Sequence, residues 1–243
     1  MGDTRIEWTD KSWSPVTGCT ACSEGCTNCY ARRMANRLRG RFGYPNDDPF
    51  AVTLHPDRLD EPLRWKKPRR IFVCSMSDLF HDRVPPEFRR KVLDACWASP
   101  QHQFLFLTKR PKTMRACLEA RHGYPWPWPN AWFGVTVCNQ AEADEKIPVL
   151  LATPAAKRFV SVEPMLGPVD LSVYLGPPLD SVIAGTETGP RARPMDIAWA
   201  RDLKNQCVEA GVSFFLKSAL IDGKLVRLPE LDGRQWAERQ EVR

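Results

Sequence analysis

Four cysteines near the start of the chain have the spacing that most clearly indicates chemistry. Cys19, Cys22, Cys26 and Cys29 lie in the segment GCTACSEGCTNCYA. Two patterns overlap there, because Cys26 and Cys29 form C-x3-C-x2-C with Cys22 and C-x6-C-x2-C with Cys19. Three thiolates in one loop can hold three irons of a 4Fe–4S cluster and leave the fourth iron open for a substrate or cofactor. The segment therefore predicts a metal centre, and an iron–sulfur cluster is the interpretation that the spacing favours.

Disulfide bonds and a zinc ion are two further uses that clustered cysteines can have. A disulfide framework would need an oxidising compartment and a more even distribution, whereas the other five of the nine cysteines are scattered singly through apolar stretches. Structural zinc sites usually join two C-x2-C knuckles from well separated positions, and here only three residues separate Cys22 from Cys26. Zinc stays open as an alternative, and it would make the chain a nucleic-acid-interaction protein without catalysis. Four buried thiols that bind no metal are the remaining alternative.

Six short apolar segments after residue 70 must position such a site. They are rich in Val, Ile and Phe and continuously apolar, which is typical of parallel strands that are buried on both faces. The segments are IFVCS (71–75), FLFLT (104–108), WFGVTV (132–137), RFVSV (158–162), SVIAG (181–185) and SFFLK (213–217). Together with a strand near 12–17, they predict an α/β fold, a partial or near-complete (β/α) barrel of about six to seven parallel strands. An open doubly wound sheet is the other architecture that this pattern allows.

Amphipathic segments between the strands predict the crossover helices. Helical periodicity is clear over 85–99 and 196–211, where Asp196 fits an N-cap and Gly211 a C-terminal stop. Weaker patterns occur over 111–121 and 140–152, and the first helix is expected over 30–40. We expect one domain over residues 1–243, with a Pro-rich insertion at about 42–70 and a peripheral tail at about 220–243. In the Pro-rich loop 122–130, we expect Trp126 and Trp128 to cover the barrel mouth, although they could instead stack on bases.

Charge and hydropathy limit the cellular setting and the partners. The chain has 35 Lys and Arg against 29 Asp and Glu, with Arg-rich stretches at 32–41 and 64–70. Such patches suit a polyanion such as nucleic acid, but they fit solvated helix and loop surfaces equally well. No apolar run approaches the roughly 18 residues of a membrane span, and the charged segment MGDTRIEWTDKSW lacks the apolar core of a signal peptide. We therefore expect a cytoplasmic protein with no membrane partner.

Several motifs together resemble the radical S-adenosylmethionine (radical SAM) superfamily, and more closely a phage-associated three-cysteine-motif family of radical-SAM-like proteins. They run in order over about residues 6–218: WSPVTGC, GC-x2-CYA, SMSDLFHD, FLTKRP, FGVTV-x-NQ, SVEPMLGPVDL and GTETGPRARPM. The closer resemblance implies Cys19, Cys26 and Cys29 as the metal ligands, whereas the general superfamily spacing implies Cys22 in place of Cys19. Asn28 is a departure, since the superfamily often has an aromatic residue before the last cysteine, and here Tyr30 follows that cysteine instead.

The resemblance implies a radical SAM enzyme with a 4Fe–4S cluster and S-adenosylmethionine (SAM) as cofactors. In such enzymes the reduced cluster cleaves SAM to a 5′-deoxyadenosyl radical, which abstracts a hydrogen atom from the substrate. An external reductant of flavodoxin or ferredoxin type is then a required partner. The substrate class we favour is a nucleic acid or nucleotide, and a small metabolite or peptide is the alternative. The catalytic residue and the oligomeric state are not predicted.

Residues at the carboxyl ends of the strands are the candidates for cofactor contacts, because the active sites of such folds lie there. By resemblance, Ser75, Ser77 and Asp78 would bind the SAM amino group, although Asp78 could equally form an N-cap or Asx turn. Glu163 would contact the ribose, and Gly185 would allow close approach of the adenine or serve as a turn residue. The full set of predicted cofactor-binding residues is Asn28, Tyr30, Ser75, Ser77, Asp78, Glu163 and Gly185. Substrate-side candidates are Lys109, Arg110, Glu187, Arg193 and Lys217.

Overall fold

The computed structural model describes residues 6–120 and 127–238. Within these residues the strands are β1 (Lys11–Trp13), β2 (Val16–Thr17), β3 (Thr53–Leu54), β4 (Arg70–Val73), β5 (Gln103–Thr108), β6 (Ala131–Val137), β7 (Lys157–Val162), β8 (Ser181–Gly185), β9 (Ser213–Ile221), β10 (Lys224–Arg227), β11 (Glu230–Leu231) and β12 (Arg234–Gln235). The helices are α1 (Tyr30–Arg37), α2 (Glu61–Arg64), α3 (Pro86–Trp97), α4 (Pro111–Glu119), α5 (Gln140–Leu151) and α6 (Ile197–Glu209). All six predicted apolar segments are strands, so that prediction is confirmed.

Helix boundaries follow local chemistry that the sequence shows. Prolines occupy the first turns of α2, α3 and α4, where the missing N–H has no intrahelical partner to lose. Asp196 caps α6, because its carboxylate accepts a hydrogen bond from the backbone N–H of Ala198 at 2.8 Å. Gly211 follows the end of the same helix with a left-handed φ of 67°, a conformation that glycine adopts without a Cβ penalty. Both predicted caps are confirmed.

The main sheet has the order β1-β4-β5-β6-β7-β8-β9-β10. The first seven of these strands are parallel, and β10 adds an antiparallel edge. A doubly wound sheet reverses its strand order at a switch point, whereas this order proceeds in one direction. The sheet is therefore a partial (β/α) barrel. Its two edges come together where Arg227 of β10 pairs with Glu7, just before β1, at 2.8 Å.

Both faces of the sheet are buried, and they pack against different partners. The outward-facing residues join the helices in the largest apolar cluster, which includes Val73, Phe106 and Val160. The inward-facing residues form a second cluster, which we call the inner layer: Trp8, Phe72, Leu105, Trp132, Phe159, Ile183 and Phe215. Gly134 leaves room for it, since a Cβ at that position would lie 2.6 Å from the Phe159 ring. The inner layer fills the barrel at the amino-terminal half of its strands.

The insertion and the tail pack against this core. Within 42–70, β3 pairs with β2, and Tyr44 and Phe50 are buried. In the tail, β10 extends the sheet, and Trp236 is buried in the largest apolar cluster, where its carbonyl accepts a hydrogen bond from Leu216 N at 2.8 Å.

Trp128 is buried against Trp97, with ring centroids 5.7 Å apart. It is a core residue and covers no barrel mouth, so that expectation is wrong for Trp128, while Trp126 lies outside the described residues. In 6–120 and 127–238, no helix has the length and apolar character needed to cross a membrane.

Candidate radical-chemistry site at the barrel mouth

A cavity of about 720 Å³ opens at the carboxyl ends of the strands. Its volume lies within the range of roughly 300–1,000 Å³ found for small-molecule and cofactor sites. All four clustered cysteines line it, on the segment that joins β2 to α1, which we call the cysteine loop (residues 18–29). Among the predicted cofactor contacts, every residue except Gly185 also lines it. The structure thus brings the cysteines and the strand-end residues to one site.

The cysteine loop begins at a position that only glycine can occupy. Gly18 has a φ of 79°, and a Cβ there would lie 2.0 Å from the carbonyl oxygen of Ala51. Its N–H donates to Met76 O at 3.1 Å, which fixes the start of the loop beside the residues that follow β4. The loop ends at Cys29, directly before the first residue of α1. Both ends of the loop are therefore held by regular structure.

Side chains from three other segments hold the middle of the loop. The Thr20 hydroxyl lies 2.7 Å from Nε2 of His81, and the Thr20 carbonyl accepts from Arg110 at 3.0 Å. The Ser23 hydroxyl donates to Glu142 of α5 at 2.5 Å. Glu142 also pairs with Lys146 at 2.7 Å, so the carboxylate that holds the loop is itself fixed.

A buried carboxylate anchors the last part of the loop. Glu187, just beyond β8, accepts from Nδ2 of Asn28 at 2.8 Å and from Nη2 of Arg193 at 2.6 Å. Arg193 reaches on to the Glu24 carboxylate at 3.2 Å. Burial alone would raise the pKa of Glu187, but the hydrogen bonds from Arg193 and Asn28 outweigh it and lower this pKa to about 2. Glu187 and Arg193, predicted as substrate-side residues, thus bind the cysteine loop.

The four thiols have different environments. Cys19 and Cys29 are half-buried and pack against a small apolar cluster around α1, whereas Cys22 is exposed. The neighbouring Cys22 thiol lowers the pKa of Cys26 to about 5, while the pKa of Cys22 itself is raised. Of these two thiols, Cys26 is the one that more readily forms a thiolate.

The thiols of the cysteine loop are the donor type that a 4Fe–4S cluster takes, and none of the four is in a disulfide bond. In the described part of the chain, no three His, Cys, Asp or Glu side chains converge closely enough to hold one metal ion.

Ser75, Ser77 and Asp78 lie at the cavity but already have protein partners. The hydroxyl of Ser75 bonds the Ser12 hydroxyl, and that of Ser77 donates to a backbone carbonyl at 2.7 Å. Asp78 accepts from Thr108 Oγ1 at 2.8 Å and from Arg110 Nη1 at 3.1 Å. It also accepts from the N–H of Phe80 at 3.0 Å, which is the Asx turn that was the alternative prediction for this residue. Asp78 is thus fully engaged in holding the strand ends.

Tyr30, Glu163 and Gly185 have distinct roles in the lining. The Tyr30 hydroxyl donates to the carbonyl of Ser75, which ties α1 to the end of β4. Glu163, directly after β7, pairs with Lys217 in the middle of β9 at 2.5 Å. A Cβ at Gly185 would lie 3.3 Å from the Glu163 carboxyl group, so this glycine makes room for the ion pair.

Three buried hydroxyls in the cavity lining were not predicted from the sequence. The Oγ atoms of Ser161 and Ser218 and the Oγ1 of Thr186 have no hydrogen-bond partner among the described residues. Buried polar atoms without partners cost stability, so their persistence beside a cavity points to a polar ligand. The sequence could have indicated these hydroxyls, because each belongs to a small polar residue within an apolar strand segment or directly after one.

The family model described as "Protein of unknown function (DUF5131)" matches residues 3–239, so the chain belongs to that family. No curated protein matches the sequence. Among solved structures, the chain is similar to spore photoproduct lyase complexed with dinucleoside spore photoproduct, with 12% identity over 83% of this chain and 74% of that chain and a TM-score of 0.48. It is also similar to a double mutant of that lyase with bound AdoMet and dinucleoside spore photoproduct, with 13% identity, coverage of 82% and 61%, and a TM-score of 0.44.

Proposed function

We propose that this protein of the DUF5131 family is a radical SAM enzyme. The observation that carries the proposal is the position of the cysteine loop over the cavity at the carboxyl ends of the strands. Cys19, Cys26 and Cys29 would hold a 4Fe–4S cluster, which when reduced would supply the electron for cleaving SAM into methionine and a 5′-deoxyadenosyl radical. The order of motifs along the chain supports the same assignment.

The chain itself would bind SAM and shield the radical from water. The unpartnered hydroxyls of Ser161, Thr186 and Ser218 offer donors and acceptors to the polar parts of the cofactor. Glu163 and Lys217 neutralise each other at the same wall, so that a ligand can bind there without an unpaired buried charge. Below them the inner layer closes the barrel, which keeps solvent from entering through the amino-terminal end.

The charges around the cavity favour an anionic substrate, and we propose a nucleic acid or nucleotide. Each carboxylate in the lining has a cationic partner: Glu7 pairs with Arg227, Asp78 with Arg110, Glu163 with Lys217 and Glu187 with Arg193. Within the described residues, Arg37 and Lys109 line the same cavity and have no carboxylate partner. Surplus cations beside the exposed side chains of Tyr30 and Met34 suit a phosphate backbone with a neighbouring base. A small metabolite or peptide remains the alternative substrate.

Anaerobic purification followed by iron, sulfide and zinc analysis tests the proposal. We expect a brown protein that forms 5′-deoxyadenosine from SAM when a strong reductant is added. Cys26→Ala should lose both the iron and the product, because it removes one of the three proposed cluster ligands. Cys117→Ala, which alters a half-buried thiol on α4, is the matched control and should retain both. Stoichiometric zinc in a colourless protein would overturn the proposal in favour of the non-catalytic alternative.

Fluorescence anisotropy with a labelled single-stranded oligonucleotide tests the substrate class. We expect binding that weakens as salt is added, and Arg37→Glu should weaken it further because Arg37 has no competing carboxylate among the described residues. Arg234→Glu, which reverses a charge in the tail hairpin, controls for net charge and should have a smaller effect. Equal effects of the two substitutions would favour a small-molecule or peptide substrate.

A further inference from the structure

Arg110 is a side chain outside the cysteine loop that contacts one of its thiols. Its Nη1 lies 3.6 Å from Sγ of Cys19, and its Nη2 donates to the carbonyl of Thr20 at 3.0 Å. The side chain is about nine-tenths buried, at 11% exposure. A guanidinium group has its donors in one rigid plane, so these contacts determine where the sulfur lies relative to the strand ends.

The position of Arg110 is itself determined by a buried chain of hydrogen bonds. Its Nη1 also donates to Asp78 at 3.1 Å, and Asp78 accepts from both the hydroxyl of Thr108 and the N–H of Lys109. The backbone N–H of Arg110 donates to the Thr108 hydroxyl at 2.9 Å. The guanidinium is therefore attached to the segment after β4 and to the end of β5, in addition to its contacts with the loop.

Cys19 and Cys22 differ in how firmly the protein holds them. The N–H of Cys19 donates to Phe50 O at 3.1 Å, and its sulfur faces Arg110. Cys22, in contrast, is exposed. In metal sites, side chains that hydrogen-bond to a ligand atom fix the orientation of that ligand. Arg110 would do so for the sulfur of Cys19.

We propose that Arg110 is a positioning residue of the metal centre, which makes Cys19 the third ligand and raises the reduction potential of the cluster. The inference rests on the proposed function. Reduction adds negative charge to the cluster and its thiolates, and a cationic N–H donor at a ligand sulfur stabilises the reduced form more than the oxidised one. Cys22 is then not a ligand.

The midpoint potential of the reconstituted cluster, measured by titration with EPR detection, tests the effect of Arg110. Arg110→Gln should retain iron and lower the reduced-to-oxidised ratio about tenfold at a fixed potential, which for one electron equals about 59 mV. Arg110→Lys keeps the charge but loses the planar fork, so its shift should be smaller. Lys112→Gln, which removes an exposed charge two residues further on, in the first turn of α4, should leave the potential unchanged. A potential equal to wild type in both Arg110 variants would overturn the inference.

Iron content separates the two candidate ligands. Cys19→Ala should lose the cluster, and Cys22→Ala should retain its iron and its EPR signal. Loss of iron from Cys22→Ala with retention in Cys19→Ala would overturn the inference while leaving the radical SAM proposal in place. Wild-type protein that holds no iron–sulfur cluster after reconstitution would overturn the proposed function and this inference together.

Discussion

The two halves of the barrel interior are built from the same strands but have opposite character. Along β7, Phe159 points inward into the inner layer, and two residues later Ser161 faces the cavity. Along β9, Phe215 and then Lys217 show the same change. Alternate residues of a strand share one face, so a single inward-facing row changes from core to binding site within two residues. The difference shows that residue size and polarity, and not strand topology, determine where the cavity begins.

The largest expected effect on stability is in the amino-terminal half of the barrel interior, which the inner layer fills. Phe159→Ala should lower the free energy of unfolding by about 3–5 kcal/mol, because it removes a buried ring from the inner layer and leaves a cavity beside Gly134. Denaturant unfolding of the metal-free protein measures this change. A loss below about 1 kcal/mol would mean that the amino-terminal half is not the packed part of the interior.

An intermediate effect on stability is expected at Glu187, where the cysteine loop contacts the barrel. Glu187→Gln should lower the free energy of unfolding at pH 7 by about 1.5–3 kcal/mol, since it removes a charged partner of Arg193 and Asn28. Folding lowers the pKa of Glu187 from 4.5 to about 2, so its contribution is complete above about pH 4.5 and disappears as the pH falls toward 2. Unfolding of both proteins at pH 7 and pH 3 should therefore show a smaller difference at pH 3.

Glu119→Gln provides the control for the loop anchor. Glu119 pairs with Arg115 at 2.7 Å on the exposed face of α4, and an exposed pair of this kind contributes about 0.3–0.5 kcal/mol. If Glu187→Gln lowered the free energy of unfolding by no more than Glu119→Gln does, the hydrogen bonds around Glu187 would not be what holds the cysteine loop.

The smallest effect on stability is expected in the carboxyl-terminal half of the barrel interior, which contains the cavity. Ser161→Ala should leave the free energy of unfolding unchanged or raise it by up to about 1 kcal/mol, because its hydroxyl has no partner among the described residues. The same variant should weaken SAM binding, which calorimetry on the cluster-loaded protein measures. Destabilisation by more than about 1 kcal/mol, with SAM affinity intact, would assign Ser161 to the core instead of the site.

Sequence patterns predicted the scaffold well because each depends on neighbouring residues. Continuous apolar segments predicted every strand from β4 to β9, and the caps at Asp196 and Gly211 follow from local backbone chemistry. Predictions about single side chains were less successful, as for Trp128, which is a core residue. The periodicity of a segment does not reveal which distant residues pack against one of its side chains.

The sequence by itself determined the αβ alternation, the cysteine spacing and the polar residues at the strand ends, since all of these are properties of short segments. Only the tertiary structure decided that the strands wind in one direction into a partial barrel, and that Arg110 faces Cys19 from 91 positions away along the chain. It also decided that Asp78 and Glu187 hold other side chains in place, because their hydrogen-bond partners come from distant segments, the end of β5 for Asp78 and the cysteine loop for Glu187. Contacts between distant segments depend on how the strands are ordered, and that order is a property of the whole chain.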